Sequence, residues 1–315
     1  MARFWGKTKD RKAGGLELGG VQLGPRPWLV LGGGGLRGLA HLGALRVLTG
    51  AGLDPAGVLG TSIGALVGAN YCAGQSIDEM ERIARSVTRD DIAQMPRRVL
   101  WVQGVRSPAL YRGDVLKSYL ARVLPRGGWE VLTRRYQANA VELGTGRTEW
   151  FGIGARTDVS LVDAVYASSA LPVFFPPCPL PGGAYVDGGV DDPLPVRRAA
   201  DLGATGIVAV DVGAGETADW EGVLHRGMLA VHERTFGIMA GRRRREIVAG
   251  WSGPPLLYIR PKVDSFGMLA FQHVAAMIEA GRVAAEEALS AERLPGGRGP
   301  SDPARSRGSK RRSAP

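Results

Sequence analysis

Two glycine-rich turns near the start of the chain constrain its fold more than any other feature. Residues 32–38 follow the apolar run 28–31, and residues 60–64 follow the short apolar run 58–59. Each turn leads into an apolar stretch with helical spacing, and a strand that turns through glycines into a helix is the repeating unit of α/β proteins. Further apolar runs alternate with helical patterns as far as residue 289. The sequence therefore predicts a largely parallel sheet with helices on both faces.

Charge divides the chain into a nearly neutral body and two basic ends. The formal net charge is +10, of which residues 1–12 carry +4 and residues 295–315 carry +5, leaving +1 for everything between. Both ends look disordered, so we predict a flexible basic segment over residues 1–26, one folded domain over 27–292 and a basic disordered tail over 293–315. The neutral body argues against a specific nucleic-acid partner. The ends either contact an anionic membrane or serve as solvated solubility tails.

Cysteine usage and hydropathy indicate the compartment. The two cysteines, Cys72 and Cys178, give neither a disulfide framework nor a metal-ligand cluster, so we expect a reducing compartment and no metal. The first fifteen residues lack the apolar segment of a signal peptide, and no run reaches the roughly 18 apolar residues of a membrane span. The prediction is a cytoplasmic protein without a cofactor, with peripheral membrane contact as the alternative.

The pentapeptide Gly60-Thr61-Ser62-Ile63-Gly64 contains a candidate nucleophile. A serine held between glycines on a strand-to-helix turn presents its hydroxyl to a substrate. The glycines are needed because a Cβ at either position would collide with the adjoining strand and helix. Such a serine is suited to acyl transfer, although the pattern alone is weak in a chain with 47 glycines.

The glycine run 32–38 has two competing interpretations. Backbone N–H groups of Gly34, Gly35, Leu36 and Arg37 at the start of a helix would converge on one point and stabilise an oxyanion. The same run matches the G-x-G-x-x-G pattern of nucleotide-binding turns. That alternative lacks an acidic residue at the end of a second strand, because Asp54 lies in a turn instead. The residues alone leave an anion cradle and a structural turn equally open.

Asp187 has a better setting for a catalytic base than any histidine. The chain's four histidines, His41, His225, His232 and His273, lie on predicted helices. Asp187, in contrast, ends a predicted strand and precedes two glycines. It either caps an ordinary turn or accepts the proton of Ser62, and the second role requires partial dehydration to raise its pKa from about 3.9.

These elements together resemble the bacterial branch of the patatin-like phospholipases. The resemblance rests on four blocks in order: residues 31–43, residues 60–64, Ala167-Ser168-Ser169-Ala170-Leu171-Pro172, and Asp187-Gly188-Gly189. It covers about residues 28–200 and extends more loosely to residues 256–261 and the helix after them.

The resemblance implies a three-layer α/β/α fold with a mostly parallel central sheet, and a Ser–Asp dyad without histidine. It makes Ser62 the nucleophile and Asp187 the general base, and it implies no metal. The N–H groups of Gly33, Gly34, Gly35, Leu36 and Arg37 would form the oxyanion hole. The supporting glycines of the motifs would be Gly38, Gly60, Gly64, Gly188 and Gly189.

The predicted function is hydrolysis of acyl esters of lipids or phospholipids through an acyl-enzyme. The alternatives are an anion- or nucleotide-binding α/β protein and a catalytically silent regulator at membranes. Asp191 and Asp192 stand where related bacterial sequences often have asparagines, and we expect them to raise the pKa of Asp187 if they lie close to it. The irregular stretch 94–112 is a candidate cover for the site.

Overall fold

The computed structural model of the protein describes residues 15–95, 107–215 and 219–291. The predicted C-terminal tail, the basic residues at the N-terminus and most of the stretch 94–112 lie outside the described residues. Within those three ranges, no helix is both long enough and apolar enough to cross a membrane.

An eight-stranded sheet forms the centre of the fold, and a separate two-stranded hairpin precedes it. The strands are β1 (Leu16–Leu18), β2 (Val21–Gly24), β3 (Pro27–Leu31), β4 (Gly57–Gly60), β5 (Arg135–Glu142), β6 (Thr148–Gly152), β7 (Cys178–Leu180), β8 (Gly183–Asp187), β9 (Gly206–Val210) and β10 (Leu256–Ile259). The order in the large sheet is β10–β9–β3–β4–β5–β8–β7, with β6 also paired to β5.

The sheet has a parallel part and an antiparallel part. Strands β10, β9, β3, β4 and β5 run parallel, whereas β6 and β8 pair antiparallel with β5, and β7 pairs antiparallel with β8. The hairpin of β5 and β6 confirms the turn predicted at residues 143–146. The mostly parallel central sheet is also confirmed.

Ten helices accompany the sheet in the described part of the chain. They are α1 (Ala40–Gly50), α2 (Ile63–Cys72), α3 (Ile77–Ser86), α4 (Arg89–Ile92), α5 (Gly113–Val123), α6 (Leu161–Ser169), α7 (Val196–Asp201), α8 (Trp220–His225), α9 (Met228–Ala249) and α10 (Val274–Ser290). Short 3₁₀ helices lie at Gly35–Leu39, Gly128–Val131, Gly188–Val190 and Phe271–His273.

Both faces of the sheet are buried, which explains why the central strands are apolar at every position. Along β3, Leu29 and Leu31 join a large cluster with the helices α1, α2, α6 and α10. The alternate residues Trp28 and Val30 join a smaller cluster with α7 and the end of α9. Because successive side chains of a strand point to opposite faces, these clusters are the two interfaces of a three-layer α/β/α arrangement.

Two glycines allow α1 and α10 to pack closely. A Cβ on Gly43 would lie 1.9 Å from the carbonyl oxygen of Ile278, and a Cβ on Gly281 would lie 1.8 Å from that of Ala40. Neither position therefore accepts a larger residue without separating the helices. This contact supports the layer directly beneath the first glycine-rich turn.

The folded body begins earlier than the predicted boundary at residue 27. Strands β1 and β2 form a hairpin over residues that the sequence placed in a flexible segment. Leu18 and Leu23 are buried, and the hydroxyl of Thr205 donates to the Leu23 carbonyl at 2.8 Å. Local composition was misleading here because the hairpin is stabilised by contacts with a distant part of the chain.

Two predicted helices have different bounds in the structure. The stretch 220–248, predicted as one helix, is divided into α8 and α9 by Gly227, whose φ is +79°. The last helix begins at Val274 rather than at residue 268. Met268 is not helical because its N–H donates to the Glu233 carboxylate and its carbonyl accepts from Leu36.

Candidate active site

The register of the sheet brings the predicted nucleophile and base together. Strand β4 ends with Gly60 opposite Ala138 of β5, and β8 ends with Asp187 opposite Ala140. The residues that follow β4 and the end of β8 therefore reach the same height on either side of β5.

Ser62 lies on a strained turn between β4 and α2. Its φ is 56° and its ψ is −124°, a conformation that is uncommon for a residue with a side chain. A Cβ on Gly60 would lie 2.3 Å from the Gly64 carbonyl oxygen, and a Cβ on Gly64 would lie 2.1 Å from that of Leu31. The two flanking glycines are thus sterically required, and the Ser62 side chain remains half-exposed at the turn.

The side chain of Ser168 helps to hold this turn. Its Oγ accepts a hydrogen bond from the Ser62 N–H at 3.0 Å, and the residue is completely buried near the end of α6. Ser168 belongs to one of the four sequence blocks but had no predicted role. Because the Ser62 N–H donates to the Ser168 hydroxyl, this N–H does not serve as an oxyanion donor.

Asp187 is buried, with 3% of its surface exposed. The Gly189 N–H donates to its Oδ1 at 2.7 Å, and the Ser62 hydroxyl interacts with the same carboxylate. Burial raises the pKa of Asp187 to about 6, and these two interactions oppose the rise. A carboxylate with this pKa is ionised at neutral pH and is a much better proton acceptor than an exposed one.

The neighbouring carboxylates do not produce this shift. Asp191 is exposed and accepts a hydrogen bond from the Thr148 hydroxyl, while an oxygen of Asp192 accepts from the Leu194 N–H at 3.3 Å. Neither contributes to the raised pKa of Asp187, whose main cause is burial. The expectation that they would raise it is therefore not met, because their side chains are directed elsewhere.

Asn139 connects the turn that carries Ser62 to the turn that follows Asp187. Its Oδ1 accepts from the Thr61 hydroxyl at 2.9 Å, and its Nδ2 donates to the Asp192 carbonyl at 2.9 Å. A Cβ on Gly188 would lie 2.3 Å from the Asn139 Oδ1, so glycine is needed for this close approach. Sequence analysis missed Asn139, although an asparagine between two alanines inside a predicted strand is an available signal.

The first glycine-rich turn lies beside the Ser62 turn and offers fewer free donors than predicted. The Gly33 N–H donates to the Pro193 carbonyl at 3.1 Å, and the Leu36 N–H donates to the Met268 carbonyl at 2.8 Å. Arg37 lies at the third position of a 3₁₀ helix, where the N–H donates to the cap carbonyl. The five predicted donors are therefore reduced to Gly34 and Gly35, which have no backbone acceptor among the described residues.

Side chains fix the orientation of the peptides in this turn. The Arg37 Nε donates to the Gly34 carbonyl at 3.0 Å, and His41 contacts the Gly32 carbonyl at 2.9 Å through Nε2. Because the C=O and N–H of one peptide point in opposite directions, the first contact directs the Gly35 N–H away from Arg37. Gly38 allows α2 to approach, since a Cβ there would lie 2.0 Å from the Cγ2 of Ile63.

None of the four histidines lines the cavity at Ser62, and all four belong to the described residues. His41 is buried, and burial lowers its pKa to about 4. His232 lies 3.2 Å from the Pro172 carbonyl through Nε2, and His225 and His273 are exposed. The described residues also contain no group of three or more His, Cys, Asp or Glu arranged to hold a metal ion.

Ser62, Asp187 and the glycine-rich turn all line one open cavity, which has about 110 Å³ of space for water-sized molecules. The walls come from α2, α5, α6, α9 and the segment before α10. Most lining side chains are apolar: Leu36, Ile63, Leu66, Leu116, Leu120, Leu171, Phe175, Phe236, Met268 and Leu269. Such a lining suits a hydrocarbon chain, since it offers few partners for polar groups.

Two buried arginines provide the positive charge in this cavity. Arg244 pairs with Asp211 at 3.0 Å and donates to the Ala214 carbonyl at 3.0 Å. Asp211 also accepts from the hydroxyl of Tyr258 at 2.6 Å and from Arg260 at 3.1 Å. The second arginine is Arg37, which is 5% exposed and pairs with backbone carbonyls. The run 242–245 gave no hint that Arg244 alone points inward.

Comparisons with known proteins agree with this architecture. The chain is 31% identical over 229 residues to an uncharacterised NTE family protein of Mycobacterium tuberculosis, covering 69% of this chain and 59% of the relative. It is 29% identical over 219 residues to patatin-like phospholipase domain-containing protein 7 of Rattus norvegicus, covering 69% of this chain and 16% of that protein. The chain thus spans only part of the length of both relatives.

Among solved structures, VipD from Legionella pneumophila is similar with a TM-score of 0.47 and 15% sequence identity, covering 90% of this chain and 71% of that chain. A family model described as patatin-like phospholipase matches residues 29–200, which include both glycine-rich turns, Ser62 and Asp187. The match extends over more than half of the sequence. The chain therefore belongs to the patatin-like phospholipase family.

Proposed function

We propose that the protein is a serine acyl hydrolase for lipid esters, with Ser62 as nucleophile and Asp187 as general base. One observation carries the proposal: a partly buried serine interacts through its hydroxyl with a buried carboxylate at the wall of an apolar cavity. Membership of the patatin-like phospholipase family supports the same class of reaction.

The first half of the reaction forms an acyl-enzyme. The Ser62 Oγ attacks the ester carbonyl carbon while its proton passes to the Asp187 carboxylate. The carbonyl oxygen becomes an oxyanion and is stabilised by the N–H groups of Gly34 and Gly35. The C–O bond to the alcohol then breaks, and the departing oxygen takes the proton from Asp187.

The second half regenerates the enzyme. A water molecule attacks the acyl carbon and gives its proton to Asp187, and the same N–H groups stabilise the second oxyanion. Breakdown releases the carboxylic acid and returns the proton to Ser62. A single carboxylate acts as base and then as acid in each half, so no histidine is required.

The lining of the cavity favours a substrate with a hydrocarbon chain. Leu66, Leu116 and Leu120 belong to helices on one side of the cavity, and Phe175 and Phe236 belong to other segments of its wall. Burial of each methylene group contributes about 0.8 kcal/mol, so chain length is expected to control KM. Nucleotide binding, the alternative raised by the glycine run, has no comparable support in this lining.

The proposal is tested with esters of increasing acyl length and with phospholipids, assayed on the wild type, Ser62→Ala and Ser169→Ala. Ser169 is a matched control because it lines the same cavity without contacting Asp187. Ser62→Ala should lower kcat/KM by about four to six orders of magnitude, whereas Ser169→Ala should stay within about tenfold of the wild type. Full activity in a folded Ser62→Ala would overturn the proposal.

A further inference from the structure

Exposed apolar side chains are concentrated on one short part of the molecule. Of thirteen large apolar residues with exposed side chains in the described ranges, six lie within residues 220–239. We name these six the apolar patch: Trp220, Leu224, Met228, Val231, Ile238 and Met239. Met228 is 80% exposed and Trp220 is 63% exposed. Contiguous apolar surface of this kind marks an interaction site more often than single exposed residues do.

The helical geometry places the patch on the outward side of α9. Met228, Val231, Ile238 and Met239 follow one another at intervals that repeat on one helix face, whereas Gly237 and Ala240 are buried on the opposite face. An outward face is normally polar in a protein surrounded by water. In the first three turns of α9, by contrast, these four apolar side chains are on the outward face.

Beyond the apolar patch, the same helix carries exposed positive charge. Arg242, Arg243 and Arg245 are exposed, while Arg244 is the buried member of the run. Helix α9 therefore presents apolar residues first and guanidinium groups one to two turns later. An exposed apolar face followed by arginines is found in helices that lie in the interface of an anionic bilayer, and the exposed Trp220 is on the preceding helix α8.

The helix that carries most of the patch also forms part of the cavity wall, on its other face. Phe236, Gly237 and Ala240 of α9 line the cavity, so its wall and the outward face belong to one helix. The imidazole of His232 contacts the Pro172 carbonyl at 3.2 Å, next to Val173. Val173 is 41% exposed and has a φ of 72°, a strained conformation for a β-branched residue. Val173 is thus a further exposed apolar residue beside the apolar patch.

We propose that α8 and α9 dock the protein on an anionic lipid bilayer through the apolar patch, with the arginines of α9 contacting lipid headgroups. The charge complementarity of Arg242, Arg243 and Arg245 with anionic headgroups favours a bilayer over an apolar protein surface. Docking there would bring a helix that forms part of the cavity wall to the lipid surface. The inference concerns binding, so it stands or falls separately from the proposed hydrolysis.

The experiment measures vesicle binding by the full chain with Ser62→Ala, which prevents any turnover from changing the lipid. The vesicles are phosphatidylcholine alone or phosphatidylcholine mixed with phosphatidylglycerol, and binding is followed by flotation. Adding Met228→Gln and Met239→Gln should weaken binding to the mixed vesicles by about tenfold or more. Leu143→Gln is the matched control, since Leu143 is 58% exposed on the distant β5–β6 turn and should have no effect.

A second pair, Trp220→Gln with Leu224→Gln on α8, repeats the test if the first pair lowers the melting temperature. Replacing Arg242, Arg243 and Arg245 by Gln should remove the preference for phosphatidylglycerol. Unchanged vesicle binding in both apolar pairs would overturn the proposal. An equal loss of vesicle binding in Leu143→Gln and in the apolar pairs would also overturn it, as would the absence of vesicle binding by the parent chain. Conversion of a dimer to a monomer by the apolar pairs, with vesicle binding retained, would also contradict it.

Discussion

The hydroxyl of Ser62 interacts with the carboxylate of Asp187, which is 3% exposed and lines the same cavity. The burial that raises the pKa of Asp187 to about 6 also separates it from water. The same carboxylate is therefore both a competent base and a group whose ionisation opposes folding. These two consequences give separate predictions.

The pH profile should follow the ionisation of Asp187. Proton abstraction requires its ionised form, so kcat/KM should be level above its pKa of about 6 and should fall about tenfold per pH unit well below that value. The measurement is kcat/KM for a short soluble ester over a series of buffers. A profile that stays level through pH 5 would argue against Asp187 as the base.

Asp187→Asn should lower activity and raise stability at neutral pH. The folded-state pKa of Asp187 lies above its unfolded value, so the wild type loses stability as pH rises from about 4 to 6. The substitution removes that loss, which is at most about 3 kcal/mol. Urea denaturation should therefore show a gain above pH 6 that vanishes below pH 4, together with a fall in kcat of several orders of magnitude. A variant that is less stable at every pH would contradict the account.

Asn139→Ala should loosen the connection between the two turns of the site. The substitution removes the 2.9 Å acceptor of the Thr61 hydroxyl and the 2.9 Å donor to the Asp192 carbonyl, which keep only their mutual contact at 3.2 Å, at an expected cost of about 1–3 kcal/mol in unfolding free energy. Because the Ser62 turn is then held less firmly to the turn after Asp187, kcat should fall more than KM rises. Denaturation and steady-state kinetics measure the two effects, and an unchanged kcat would show that Asn139 does not position the site.

Arg244→Met should destabilise the protein far more than Arg243→Met, although the residues are adjacent. Arg244 pairs with buried Asp211 and donates to the Ala214 carbonyl, so its removal leaves that carboxylate only its other partners, Arg260 among them, and should cost about 1–3 kcal/mol. Arg243 is exposed, and its replacement should change stability by less than about 0.5 kcal/mol. Thermal and urea denaturation of the two variants compare them directly, and similar losses would refute the distinction.

Local sequence patterns were sufficient where local geometry decides the structure. The glycines around Ser62 and the glycine after β3 predicted their turns because a Cβ is excluded there by neighbouring backbone. The mostly parallel sheet followed from the alternation of strands and helices, and the family followed from the same motifs. The catalytic roles of Ser62 and Asp187 remain predictions, and the structure places both residues at one cavity.

The remaining features depend on contacts between distant segments. No local sequence pattern indicates that β8 pairs antiparallel with β5, yet this pairing sets the position of Asp187. The inward turn of Arg244 depends on Asp211 at the end of β9, and the loss of Gly33 and Leu36 as donors depends on carbonyls elsewhere in the chain. Periodicity within one segment carries no information about such partners.

A fluorophosphonate probe traced by mass spectrometry tests the central claim most directly. The wild type should carry a single stable adduct on the peptide that contains Ser62, and labelling should be slower by several orders of magnitude in Asp187→Asn. A combined variant with His225→Gln, His232→Gln and His273→Gln should be labelled at close to the wild-type rate. Stable labelling at another residue, or loss of labelling in the histidine variant with normal labelling in Asp187→Asn, would contradict the Ser62–Asp187 dyad.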